Sequence, residues 1–131
     1  QRIEELVAKK RKFLHSYKEQ LADVEGLTFN VESDDIYNGV WATSIVFDES
    51  HTMKKLDAIK KLAALHIPAR PFFYPLSSLP AYKSYHTGSQ QKNPNAYDIS
   101  ERGITLPCSY NLKEDHISMI CDGIKKILGL C

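Results

Sequence analysis

Residues 27–47 read LTFNVESDDIYNGVWATSIVF and contain two runs that are typical of β-strands. The runs LTFNV and VWATSIVF are rich in β-branched and aromatic residues, and the polar segment ESDDIYNG between them is turn material. Because the two runs are neighbours in sequence and a polar turn joins them, we predict an antiparallel pair. The segment ITLP, further along the chain, predicts another short strand.

Three segments around these strands carry apolar residues at helical spacing. The first fills residues 1–25 and stops at Gly26, the second follows a cap at Ser50 or Thr52 and stops before Pro68, and the third lies near the end of the chain. The expected inward residues are Ile3, Leu6, Val7, Leu14, Tyr17 and Leu21 in the first helix, Met53, Leu56, Ile59, Leu62 and Ala63 in the second, and Ile117, Ile120, Cys121, Ile124 and Leu128 in the last.

A shorter helix is expected in NPNAYDISERG, with Pro94 near its start and Gly103 at its C′ position. The order of all these segments predicts an α+β fold, with a small, mainly antiparallel sheet of about three to four strands packed by helices. The 131 residues fit one domain, residues 1–131.

The charge and cysteine content narrow the classes of function. The chain has 17 Lys and Arg against 16 Asp and Glu, a balance that does not favour a nucleic-acid partner. It has neither an apolar run long enough to span a membrane nor the apolar core of a signal peptide, so we expect a cytoplasmic protein with no membrane partner. Cys108, Cys121 and Cys131 are too few and too far apart for a disulfide framework or a thiolate zinc site.

Common catalytic patterns do not occur in the sequence. Ser77 and Ser78 lack the G-x-S-x-G elbow of hydrolases, and the five histidines have no metal-ligand spacing. The glycines are isolated, which argues against a phosphate-binding loop. We therefore assign no catalytic, cofactor-binding or metal-binding residue to this chain.

The segment RPFFYPLSSLPAY, residues 70–82, has no regular period, and it opens a loop of about twenty residues that is long for a structureless connection. Arg70 can grip a phosphate or a carboxylate, and the aromatic rings can face a base or a sugar. Composition alone favours a simpler interpretation, in which a proline-stiffened loop covers the sheet edge.

Together, these segments resemble the C-terminal small domain of the DegT/StrS family of PLP-dependent sugar aminotransferases, a branch of the type I aminotransferase fold. YNGVWATSIVFDES is similar to the family's N-x-x-W strand, and HIPARPFFYPLSSLPAY to its G-I-x-x-R-x-F-x-P-L-H-x-x-P-x-Y segment. PNAYDISERGITLPCSYNLKEDHISMI resembles its P-x-A-x-x-I-x-x-R-x-x-x-L-P motif and final helix. Ser77 replaces the histidine of many members, and the double aromatic RPFFYPL looks closest to perosamine-synthase-like members.

The resemblance implies a function for the whole enzyme. Residues 1–25 would link this small domain to a large domain that is absent from the chain and that binds pyridoxal 5'-phosphate (PLP). The enzyme would be a homodimer that moves an amino group from an amino acid such as glutamate to a nucleotide-linked keto sugar, and the fragment alone would be inactive. The residues expected to bind the substrate are Asn38, Trp41, Arg70, Tyr74, Ser77 and Tyr82.

Two alternatives stay open at this point. A PLP-dependent sugar dehydratase of the same family differs at the Schiff-base position, which lies outside the chain. A non-enzymatic α+β interaction module would use the long loop as a partner site.

Overall fold

The computed structural model describes residues 2–85 and 92–130, which form helices and one four-stranded sheet. The elements are α1 (Ile3–Gln20), β1 (Leu27–Phe29), β2 (Ser44–Phe47), α2 (Lys55–Ala64), β3 (Arg70–Pro71), α3 (Pro94–Arg102), β4 (Gly103–Thr105) and α4 (Glu114–Ile127). Short 3-10 helices lie at Glu49–His51, Leu76–Ser78 and Pro80–Tyr85. The predicted α+β class is confirmed.

The sheet has the order β1-β2-β4-β3, and each neighbouring pair is antiparallel. The predicted pairing of the first two strands is therefore confirmed, with Phe29 opposite Ile45. β4 lies between β2 and β3, so Ile104 is opposite both Ile45 and Pro71. Pro71 occupies an edge strand, where its missing N–H leaves no gap inside the ladder.

The core lies between one face of the sheet and helices α1, α2 and α4. Ile45, Phe47 and Ile104 form the inward face and are fully buried. The helices contribute Phe13, Tyr17, Ala58, Leu62, Ile117, Ile120, Cys121 and Ile124. The predicted inward face of α4 is confirmed, because the predicted residues within the helix are buried. Leu128, which directly follows the helix, is partly buried.

The predicted buried stripe of α1 is correct only for its second half. Leu14 and Tyr17 are buried, and the Tyr17 hydroxyl donates to the carbonyl of Pro107. Ile3 is 65% exposed and Leu6 is 38% exposed. These first turns instead line an open groove of about 500 Å³, which the segment around Gly39 and Trp41 closes on its other side.

The predicted start of α2 was wrong, and its predicted inward face is correct only in part, because Met53 and Leu62 are buried and Ile59 packs against the core. Its N-cap is Lys54, whose side chain makes no capping bond, while the Asp48 side chain accepts from the Ser50 amide and caps the short 3-10 helix before it. Thr52 ends that turn in the left-handed region, at φ 48°. The buried stripe of α2 is Lys55, Ala58 and Leu62, so that Leu56 and Ala63 are exposed.

Gly103 follows α3 as predicted, but not as a left-handed C′ residue. Its φ of −93° is extended and begins β4 directly. A Cβ at this position would lie 2.8 Å from the Ile99 carbonyl oxygen and 2.8 Å from the Phe72 Cβ. Close packing, rather than helix termination, therefore requires glycine here.

The loop predicted for residues 74–93 is partly ordered into the two 3-10 helices at Leu76–Ser78 and Pro80–Tyr85, and its residues 86–91 lie outside the described ranges. Across the described part of the chain, none of the helices combines the length and the apolar character that crossing a membrane requires.

Candidate substrate-binding site

The turn before β2 is held by an internal hydrogen-bond network. The Asn38 Oδ1 accepts from the Val40 amide at 2.8 Å, and the Asn38 carbonyl accepts from the Arg11 guanidinium at 2.6 Å. Arg11 also pairs with Glu32 and holds the pKa of that carboxyl below its usual value. Val40 is buried at a φ of 48°, a left-handed conformation that costs a β-branched residue free energy. The Asn38 side chain therefore shapes this turn.

The turn presents Trp41 to solvent, where its side chain stacks on Phe73. The two ring centroids are 5.8 Å apart with an interplanar angle of 17°, and the residues are 75% and 67% exposed. An exposed aromatic pair of this kind offers flat apolar surface to a ring of a ligand. The stack also joins the turn to the segment at residues 70–82.

Arg70 lies on the outward face of the sheet beside two hydroxyl groups. It is directly opposite Thr105, which is in turn opposite Ser44. The Ser44 and Thr105 hydroxyls are 3.2 Å apart, and directly opposite residues place their Cβ atoms about 4.5–5.5 Å apart. Among the described residues, Arg70 has neither a hydrogen-bond acceptor for its side chain nor a carboxylate partner. Its exposed guanidinium and the two hydroxyls form a row suited to an anionic group.

Tyr74 and Ser77 are fastened to neighbouring helices. The Lys55 Nζ lies 3.8 Å from the centre of the Tyr74 ring, and the Ser77 and Tyr97 hydroxyls are 3.2 Å apart. Tyr82, in the 3-10 helix Pro80–Tyr85, is 45% exposed.

The six residues predicted to bind substrate thus occupy two adjoining parts of the surface. Asn38 and Trp41 lie on the turn, and Arg70, Tyr74, Ser77 and Tyr82 lie on the segment at residues 70–82. The Trp41–Phe73 stack brings the two parts together. Their role in binding substrate stays a prediction.

The sequence did not indicate several participants in this region. Ser44 and Thr105 join Arg70 only through strand register, which no local pattern reveals. Nothing in the sequence pattern distinguishes Lys55 from the other lysines of α2. Phe73 was visible as half of the double aromatic, but its pairing with Trp41 is tertiary.

Side chains that could hold a metal ion do not cluster here. In the ranges that the structure describes, no three His, Cys, Asp or Glu residues come close enough to form a metal site. The groups that this region offers to a ligand are the exposed Arg70 guanidinium, several hydroxyls and exposed rings.

Comparison with known proteins gives a consistent picture. The family model described as the DegT/DnrJ/EryC1/StrS aminotransferase family matches residues 1–125. The GDP-perosamine synthase of Vibrio cholerae is 32% identical over 127 residues, which are 95% of this chain and 33% of that protein. The chain therefore spans about a third of the length of this curated relative.

Two solved structures share the fold. The aminotransferase TlmJ from Streptoalloteichus hindustanus superposes with a TM-score of 0.81 at 20% identity, over 98% of this chain and 33% of that one. The PLP form of Spr1654 from Streptococcus pneumoniae also gives 0.81 at 20% identity, over 98% of this chain and 32% of that one. At these identities the likeness establishes the fold alone.

Proposed function

Because the chain belongs to the DegT/DnrJ/EryC1/StrS aminotransferase family, we propose that it is the C-terminal small domain of a PLP-dependent aminotransferase. The enzyme transfers an amino group from an amino acid such as glutamate to a nucleotide-linked keto sugar. A GDP-linked sugar is the first substrate to test, since a relative is named GDP-perosamine synthase. The residues that precede this domain in the enzyme form the cofactor domain, and α1 links the two.

PLP, when bound, supplies the electron sink for amino transfer. The buried lysine of the described residues does not fit the role of holding this cofactor. Lys55 is the buried lysine of the described part, and its Nζ is covered by the Tyr74 ring and the Ser100 hydroxyl, so a cofactor aldehyde cannot reach it. The chain's own contribution is to bind and orient the sugar nucleotide.

The guanidinium of Arg70, which has no partner among the described residues, is the observation that carries this proposal. A cation that is exposed beside the Thr105 and Ser44 hydroxyls can hold the diphosphate of a sugar nucleotide through charge-assisted hydrogen bonds. The Trp41–Phe73 stack provides the apolar surface for the base or the sugar. This division of polar and flat surfaces matches the two parts of a nucleotide-linked sugar.

The test is steady-state kinetics of the full-length enzyme with Arg70→Ala. Losing a charge-assisted contact of about 1.5–3 kcal/mol raises the KM for the sugar nucleotide roughly ten- to hundredfold. The half-reaction with glutamate changes much less, because the amino acid carries no diphosphate. Arg70→Lys keeps the charge but loses the bidentate fork, so its KM for the sugar nucleotide should lie between those of the unaltered enzyme and Arg70→Ala.

Lys60→Ala removes an exposed cation from α2 and serves as the matched control, with an unchanged KM expected. An Arg70→Ala enzyme whose KM for the sugar nucleotide equals that of the control rejects the assignment of Arg70 to the substrate.

A further inference from the structure

Lys55 is a buried cation without a carboxylate partner in the described ranges. It is the first residue of α2 and is 4% exposed, whereas the adjacent Lys54 is exposed and pairs with Glu101 at 3.5 Å. Taking an ammonium group out of water carries a large free-energy cost unless other groups compensate it. Packing alone does not explain a lysine at this position, because an apolar side chain could fill the same space without the cost of desolvating a charge.

Two groups compensate the Lys55 charge. The Nζ donates to the Ser100 Oγ on α3 at 3.1 Å, and it lies 3.8 Å from the centre of the Tyr74 ring. A cation over an aromatic face is attracted by the ring quadrupole, and the attraction grows when the cation is desolvated. Lys55 therefore bonds to α3 and to the segment at residues 70–82 at the same time.

The Tyr74 ring has one side on Lys55 and is still 52% exposed, so its outer surface is open. Three residues further along the same segment, Ser77 contacts the Tyr97 hydroxyl of α3. Beyond the β3 pairing and the Trp41–Phe73 stack, these two contacts attach residues 74–77 to α2 and α3, and the Lys55 contact sets the orientation of the ring that faces outward.

We infer that Lys55 is a positioning residue for substrate binding. It fixes the Tyr74 ring, and with it the segment at residues 70–82, in the orientation that receives the sugar nucleotide. This inference rests on the proposed function, which assigns Tyr74 to the substrate wall. Lys55 itself touches neither substrate nor cofactor.

The test uses the full-length enzyme with Lys55→Met, which keeps the length of the side chain and removes its charge. We expect the KM for the sugar nucleotide to rise roughly five- to twentyfold, with kcat and the glutamate half-reaction nearly unchanged. Limited chymotrypsin digestion, mapped by mass spectrometry, cleaves after Phe72 and Phe73 faster than in the unaltered enzyme; the Tyr74–Pro75 bond is not a site for this protease. Lys55→Arg restores both properties, because a guanidinium also stacks on a ring.

Lys54→Met is the matched control, since it removes the neighbouring charge from an exposed position and leaves both readouts unchanged. A KM for Lys55→Met equal to that of this control overturns the inference, even if cleavage accelerates. When Arg70→Ala raises the KM and Lys55→Met does not, the inference fails and the proposed function stands. When neither raises it, both fail.

A second variant covers the case in which Lys55→Met does not fold. Tyr74→Ala alters a half-exposed residue and uncovers the Lys55 Nζ. Acetic anhydride then acetylates Lys55 in Tyr74→Ala but not in the unaltered enzyme. A Lys55 that stays protected in Tyr74→Ala shows that the ring is not what covers it, and the inference is wrong.

Discussion

At Gly103 the chain has room for a hydrogen atom and nothing larger. The residue joins α3 to β4, and both neighbours that a Cβ would meet lie close to the backbone: the Ile99 carbonyl and the Phe72 Cβ. Neither can move without shifting the helix or the strand pairing in which Phe72 donates to the Gly103 carbonyl. The position is therefore fixed by sterics rather than by backbone conformation.

Gly103→Ala is predicted to lower the free energy of unfolding by about 1–3 kcal/mol, the usual cost of overpacking. Urea denaturation followed by circular dichroism measures the change. Gly39→Ala is the control, because nothing lies within 4 Å of a Cβ at that position and the variant should unfold at the same urea concentration as the unaltered chain. Equal midpoints for the two variants would show that α3 and β4 separate at little cost.

At the scale of an element, α2 and α4 end in the same way with different residues. At the end of α2 the His66 amide donates to Ala63 and the Ile67 amide donates to Leu62. This pair of bonds is a Schellman motif, whose C′ residue adopts the left-handed region. His66 does so at φ 59°, and Gly129 occupies the equivalent position after α4 at φ 75°.

His66→Gly is predicted to raise the free energy of unfolding by about 1 kcal/mol, because glycine adopts this conformation without a Cβ clash. His66 is exposed, so that the substitution removes little packing. Gly129→Ala is the reciprocal variant. No atom lies within 4 Å of a Cβ at this position, so the variant should lose a similar amount of unfolding free energy through backbone conformation alone. Thermal melts of the unaltered chain, His66→Gly and Gly129→Ala rank the three proteins by stability. A His66→Gly variant that is less stable than the unaltered chain would mean that the imidazole makes a stabilising contact.

At the scale of the whole molecule, the features that the sequence predicts correctly are those that depend on residues close together in the chain. The α4 stripe through Ile117 and Ile124 follows a 3.6-residue period, which packing preserves. The start of α2 was misplaced because Asp48 caps a separate turn and leaves Thr52 to end it. The alignment of Arg70 with Thr105 depends on strand register, and register is decided by the whole sheet.

The family resemblance suggested a substrate-binding role for residues 70–82, which their composition alone did not favour. Composition favoured a structural role for residues 70–82, and the loop is in fact attached to α2 and α3 through Tyr74 and Ser77. The same residues nonetheless present exposed rings and an Arg70 side chain that has no partner in the part of the chain that the structure describes. Attachment and exposure coexist because each contact uses one side of a side chain.

The 131-residue chain by itself is predicted neither to retain PLP nor to transaminate. After incubation with PLP, reduction with borohydride and dialysis, absorbance and peptide mapping should reveal no stoichiometric lysine adduct. The full-length enzyme, treated identically, should carry one adduct at a lysine outside these residues. A single stable adduct within the chain would place the cofactor site here and reject its assignment as the small domain.

The central place of β4 also affects how the protein is made. β2 and β3 have no direct pairing, and the residues that bridge from β2 to β4, Ser44 and Thr105, are 61 positions apart. A ribosome delivers the chain from its amino end, so both flanking strands emerge with an unpaired edge and wait for their common partner. Strands in that state are prone to associate with other chains. The emergence of Gly103–Thr105 from the ribosome is therefore the event that lets the four strands assemble, and a ribosome that stalls before it would hold a nascent chain that chaperones must protect.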